Sequence, residues 1–206
     1  MHEAQLYDEN CFITLTYNEE NLPENGALNH EHFQKFMKKL RRAYPGKKIR
    51  YYQCGEYGEQ LKRPHYHACV FNLHFQDQVF FKQKNGYTLY TSEQLNKLWK
   101  HGFATVGALT YETAAYTARY ILKKITGDNA HQHYPESVDK KTGEIKPASE
   151  YTTMSRGGRC PDGTNLGGIG AQWYKRYGDE VFPDDEVIYN GKSLKPPRFY
   201  QEIFQR

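Results

Sequence analysis

The stretch LKRPHYHACVF, Leu61–Phe71, reads as the end of a polar loop followed by a β-strand. Side chains two apart in a strand point to one face, so His65 and His67 share a face, while Tyr66, Ala68 and Val70 point the other way. Two imidazoles on one sheet face can pack against their neighbours, titrate near neutral pH or hold a metal ion. The surrounding sequence has to decide between these.

Working outward, CFITLTY (Cys11–Tyr17) is apolar and β-branched, a buried strand. The loop NEENLPENG separates it from LNHEHFQKFMKKLRRAY, a helix with Phe33, Phe36, Met37, Leu40 and Tyr44 at three- and four-residue steps. Asn29 is its N-cap, and Leu28 and Phe33 are spaced for a hydrophobic staple. The strands IRYYQCGE and HYHACVFNL follow, joined by YGEQLKRP. A second helix, TSEQLNKLWKHG, is capped near Ser92 and stops at Gly102; a strand, FATVGALT, leads to a third helix ending at Gly127. The order β-α-β-β-α-β-α predicts an α+β, split β-α-β sheet of ferredoxin-like type, antiparallel, with helices on one face. Beyond it, 128–150 reads as a long loop or hairpin. A glycine-rich loop and a short helix around Trp173, Tyr174 and Tyr177 come next, then a hairpin and a proline-stiffened tail.

At 206 residues the chain suits a single domain, 1–206, with a core over 11–126 and a C-terminal extension over 127–206. A net charge of +4 permits a nucleic-acid partner without demanding one. Cys11, Cys54, Cys69 and Cys160 form no CxxC pair, which excludes zinc-finger spacing and suits reduced thiols in a cytosolic compartment. No apolar run approaches a membrane span, and no signal peptide is present.

His65 and His67 supply two nitrogen ligands, and a third is expected from the adjoining strand or loop, where Glu56 and Glu59 compete. Two histidines and a carboxylate leave coordination positions open, as catalytic sites do. With phosphate and water completing the shell, the set suits Mn²⁺ or Mg²⁺. Without a ligand, the histidines are half-exposed strand residues. In YTARYILKK, Tyr116 and Tyr120 share a helix face, and Lys123 and Lys124 extend that side. Such a pair can be core packing, but the apolar stripe can be drawn instead through Ala115, Ala118, Ile121, Leu122 and Ile125. That frees the phenols to act as nucleophiles in phosphoryl transfer. The basic run over 35–50, including Lys38, Lys39, Arg41 and Arg42, and the loop pair Lys62 and Arg63 are a solvated surface or contacts to DNA phosphates.

Three motifs in order, FITLTY, RPHYHACVF and YTARYILKK, resemble those of the HUH endonucleases that start rolling-circle replication. The nearest likeness is to the initiation proteins of gokushovirus-type microviruses, single-stranded DNA phages. The resemblance implies the HUH endonuclease fold and selects Glu56, in CGEYGE, as the metal-ligating glutamate over Glu59. It reads Tyr120 with Lys123 as the tyrosine motif, nearly repeated by Tyr116 with Arg119. It also implies a segment upstream of HEAQLYDENCFITLTY that serves full origin recognition.

The activity implied is nicking of single-stranded origin DNA by metal-assisted transesterification, leaving a 5′-phosphotyrosine and a free 3′-hydroxyl, with later rejoining. The setting implied is the cytoplasm of a bacterial host, with a host helicase as a further partner. A non-catalytic origin- or RNA-binding module, a hydrolase that activates water, and a transposase or relaxase of the same superfamily are the competing readings. Relaxases place the tyrosine before the histidines, and single-tyrosine transposases have no use for the pair.

Overall fold

A computed structural model of the chain describes residues 1–206 except 85, 140, 158–166, 182–183, 185, 190 and 205–206. Of Tyr120, Ile121, Lys123, Val181 and Phe204 it describes the backbone alone. The glycine-rich loop and Cys160 therefore lie largely or wholly outside the described residues. Two compact units result, Glu9–Met154 and Met1–Asp8 with Ser155–Arg206.

The larger unit is built from β1 (Asn10–Tyr17), α1 (His30–Ala43), β2 (Arg50–Tyr57), β3 (Pro64–Phe71), β4 (Gln78–Lys84), β5 (Tyr87–Ser92), α2 (Glu93–Leu98), β6 (Gly102–Gly107), α3 (Tyr111–Lys123), α4 (Asn129–His133), β7 (Glu136–Val138), β8 (Ile145–Pro147) and β9 (Tyr151–Met154). Seven strands form one sheet in the order β4-β5-β6-β1-β3-β2-β9, and β7 and β8 pair separately. Every strand pairing is antiparallel. The inner four, β6-β1-β3-β2, have the strand order of a split β-α-β sheet.

Alternation sorts the side chains. Ile13, Leu15, Tyr66, Ala68, Val70, Ala104 and Val106 form one face and are buried with Phe33, Phe36, Met37 and Leu40 of α1, Leu95 of α2, and Trp99. The Asn29 side chain accepts from the Glu31 N–H, and Ser92 accepts from the Leu95 N–H, so both helices start where polar caps satisfy their first donors. Tyr66 answers why a tyrosine sits between two histidines. Fully buried, it donates from its hydroxyl to the Asn29 carbonyl (2.7 Å), accepts from the Asn29 N–H (3.0 Å) and meets the Tyr17 hydroxyl (2.7 Å). It ties β3 to the start of α1.

The expectation of helices on one face is corrected. α3 packs on the opposite face, over β2, β3 and β9, where Thr117, fully buried, lies 3.9 Å from the Cys69 sulfur. The hairpin β4–β5 and the edge strand β9 add three strands to the expected order. α3 ends at Lys123 rather than Gly127, because Lys124 leaves helical geometry (φ −59°, ψ 124°). Cys11, Cys54 and Cys69 are buried free thiols, as expected.

The smaller unit holds α5 (Ala171–Val181), the hairpin β10 (Val187–Tyr189) and β11 (Lys192–Leu194), and α6 (Arg198–Phe204). The expected extended tail is thus a helix directly after Pro196–Pro197, positions where a missing N–H costs nothing at a helix start. His2 stacks on Trp173 at 3.7 Å, and the buried Glu3 accepts the Gly170 N–H at 2.7 Å. Among the described residues no helix is long and apolar enough to cross a membrane.

Candidate metal centre

Strand register assembles the site. Glu56 on β2 stands opposite His65 on β3, which stands opposite Thr16 on β1. One pair further along, Cys54, His67 and Thr14 form a parallel row. Both rows lie on the face covered by α3. The ligand atoms of Glu56, His65 and His67 all fall within 4.8 Å of one another. The Glu56 Oε1 lies 2.6 Å from His65 Nε2 and 3.1 Å from His67 Nε2, and it accepts the Tyr116 hydroxyl at 3.1 Å. Tyr116, 40% exposed on α3, also sets its ring edge-on to His67 at 5.1 Å.

The donor set fits a divalent cation. His65 Nδ1 sits 3.0 Å from the Arg63 carbonyl, which can only accept, so Nδ1 carries the proton and Nε2 presents a lone pair. His67 Nδ1 is held 2.9 Å from the Thr14 hydroxyl, turning its Nε2 the same way. Burial lowers the His67 pKa below the usual 6.5 against the opposing Glu56 bond, which keeps that ring neutral. Burial raises the Glu56 pKa, but the two histidine hydrogen bonds and their charges outweigh it and hold the carboxyl at about 2. Glu56 is 1% exposed, and its Oε2 has no hydrogen-bond partner. A buried anion with an orphaned oxygen, faced by two lone pairs, is what a cation between them would satisfy. This Glu/His/His group could hold a metal ion.

Glu59 lies exposed in the β2–β3 turn, away from this group. Tyr120 follows Tyr116 by one helical turn, and its side chain, like that of Lys123, is outside the described residues; Lys124 is exposed at the helix end. Lys38, Lys39, Arg41 and Arg42 are exposed on α1, on the opposite side of the sheet from Glu56. Arg41 donates twice to the Ile49 carbonyl at 3.3 Å and lies over the Tyr51 ring. Lys62 is exposed beside the site's strand, and Arg63 donates to the Tyr17 carbonyl (3.1 Å) and pairs with Glu19 (2.5 Å). Sequence reasoning missed Thr14 and the Arg63 carbonyl, which orient the two imidazoles. The polar Thr14 and Thr16, alternating with Ile13 and Leu15, were the available signal for Thr14.

Residues 10–125 match the family model of the phage-type replication-associated protein ORF2, and the chain belongs to that family. The kinship with phage replication proteins expected from the three motifs is borne out. The chain is 31% identical to replication-associated protein VP4 of Bdellovibrio phage phiMH2K, over 100% of this chain and 61% of that protein. It is 32% identical to replication-associated protein ORF2 of Spiroplasma virus 4, over 96% and 58%. Replication-associated protein ORF4 of Chlamydia phage 1 is 26% identical, over 99% and 48%. The chain thus spans about half to three-fifths of the length of these relatives. No solved structure matches.

Proposed function

We propose that this protein is a replication initiator with an HUH endonuclease fold. It nicks single-stranded origin DNA, forms a 5′-phosphotyrosine with a free 3′-hydroxyl, and later rejoins the strand. The observation that carries this is the approach of a helix-borne phenol, Tyr116, to the same carboxylate oxygen that faces His65 and His67. Phage relatives named for replication support it.

Mg²⁺ or Mn²⁺ held by Glu56, His65 and His67 would supply Lewis-acid polarisation of the scissile phosphate and offset its developing charge. A carboxylate held at about pKa 2 is a poor base, so Glu56 orients the Tyr116 hydroxyl rather than removing its proton. The phenol oxygen bonds to phosphorus as the 3′-oxygen departs. One phosphodiester replaces another, so rejoining needs no ATP. Tyr120, a turn along, serves as second nucleophile for the closing cut, and Lys123 and Lys124 stabilise phosphate. In the cytoplasm of a bacterial host, a host helicase would unwind the duplex ahead of the freed 3′-end.

Incubation with labelled single-stranded origin DNA and Mn²⁺, followed by a denaturing gel, tests this. A metal-dependent protein–DNA adduct lost in Tyr116→Phe/Tyr120→Phe is expected. Cut DNA carrying no protein would instead establish hydrolysis, and bound but uncut origin would leave a binding module.

A further inference from the structure

The row of side chains that begins at the metal centre does not stop at β1. Glu56, His65 and Thr16 are followed on β6 by Phe103, the register partner of Thr16. At about 4.8 Å per strand, Phe103 stands about 10 Å from His65 on the same face. α3 packs over β2, β3 and β9, and at the other end of the row the side chains are exposed. Phe103 and Phe81 are each 42% exposed, with ring centroids 5.2 Å apart. The Lys82 ammonium lies 4.9 Å over the Phe81 ring. A register shift between Phe80 and Lys82 re-aims Phe81 out of the strict alternation of β4. Lys84, paired with Tyr87, is exposed two residues on. Residues 78–92 carry these two lysines and no aspartate or glutamate.

Two phenylalanines exposed on an edge hairpin are a liability that folding alone does not explain. Flat rings beside exposed cations match the faces and phosphates of unpaired nucleotides. A duplex hides its base faces, and a protein partner gives no reason for purely cationic flanks. We propose that Phe81 and Phe103, with Lys82 and Lys84, form a stacking platform for the single-stranded DNA bases two to three nucleotides from the scissile phosphate. The spacing follows from about 10 Å divided by a stacked rise of about 3.4 Å. The proposal rests on the reading of Glu56, His65 and His67 as a nicking centre.

The test is fluorescence anisotropy of the full chain with labelled (dT)20 and with a 20-base-pair duplex, in EDTA so that no cleavage intervenes. Phe81→Ala/Phe103→Ala should weaken (dT)20 binding about tenfold or more, with an unchanged salt slope. Phe→Tyr at both positions should restore it, and Phe→Leu should not. Lys82→Gln/Lys84→Gln should reduce the salt slope by about 1.4. Circular dichroism confirms that each variant folds, which the exposure of all four side chains favours. Unchanged affinity in Phe81→Ala/Phe103→Ala overturns the platform, as does full rescue by leucine or equal loss on duplex. The adduct assay separates the two readings. Absence of an adduct in wild type, with loss of (dT)20 affinity in the hairpin variants, sinks the nicking centre and keeps the platform. A normal adduct and normal affinity in those variants does the reverse.

Discussion

Mn²⁺ should stabilise this protein against heat, and Glu56→Gln should abolish the effect. In the metal-free chain the Glu56 carboxylate is buried with Oε2 unpartnered, a defect worth about 1–3 kcal/mol. Ion binding repairs it. At free Mn²⁺ of about 100 times Kd, linkage gives about 2.7 kcal/mol. For a chain of this length each kcal/mol moves Tm by about 2–4 °C, so a rise of about 5–11 °C is expected. Glutamine keeps the shape and one acceptor oxygen but loses the charge that holds a hard cation. Differential scanning fluorimetry at pH 7.5, with Mn²⁺ against EDTA, reads both. Glu59→Gln, altered in the exposed turn, should keep the full rise. An equal rise in wild type, Glu56→Gln and His65→Ala would show that the ion binds elsewhere and that the carboxylate–histidine geometry has been misread.

Thr14→Val removes the hydroxyl 2.9 Å from His67 Nδ1 and should weaken Mn²⁺ binding about 10- to 100-fold in calorimetric titration while the fold survives; unchanged affinity would deny Thr14 its orienting role. Tyr66→Phe strands the Asn29 N–H and the Tyr17 hydroxyl and should cost about 1–3 kcal/mol in urea unfolding. A loss within error of zero would mean that the hydroxyl network is replaced by water. The pH dependence of metal-free stability follows from two depressed pKa values. The neutral His67 ring contributes stability above pH 6.5 that is lost as pH falls below it, because the unfolded chain binds that proton first. Glu56 contributes stability above pH 4.5 that is lost as pH falls from 4.5 to about 2. Urea midpoints should therefore decline in both windows, and His67→Gln should flatten the upper one; a flat wild-type profile between pH 6.5 and 4.5 contradicts the burial of a neutral ring.

The metal centre was legible in the sequence because it is a matter of parity. His65 and His67 are two apart, and the short YGEQLKRP connection makes the preceding strand an antiparallel neighbour, which sets Glu56 opposite His65. α1 and α2 were legible for a similar reason, their caps and apolar spacing being local. What the sequence hid was non-local or non-periodic. QVFFKQK lacks alternation because it is an exposed edge with a bulge, so β4 escaped notice. YTTM is too short to declare itself as β9 without the neighbour it pairs with. The side of the sheet that α3 takes is set by which residues Thr117 meets, and no local pattern in YTARYILKK records that. The basic run on α1 was conspicuous yet sits across the sheet from Glu56, because the same amphipathic pattern that buries Phe33 and Leu40 turns its lysines to solvent.

The pairing of β2 with β9 has a consequence for synthesis on the ribosome. β2 ends at Tyr57 and its outer partner begins at Tyr151, so that border waits for more than ninety further residues to be translated. At bacterial elongation rates this is on the order of 5–20 s. Throughout that interval the strand bearing Glu56 presents a row of open backbone amides and carbonyls to whatever else is nearby, other nascent copies included. Slow codons before Tyr151 would lengthen the hazard, and abundant phage message would multiply it. The yield of soluble protein should respond to translation speed and to chaperone supply more than to the final stability of the fold.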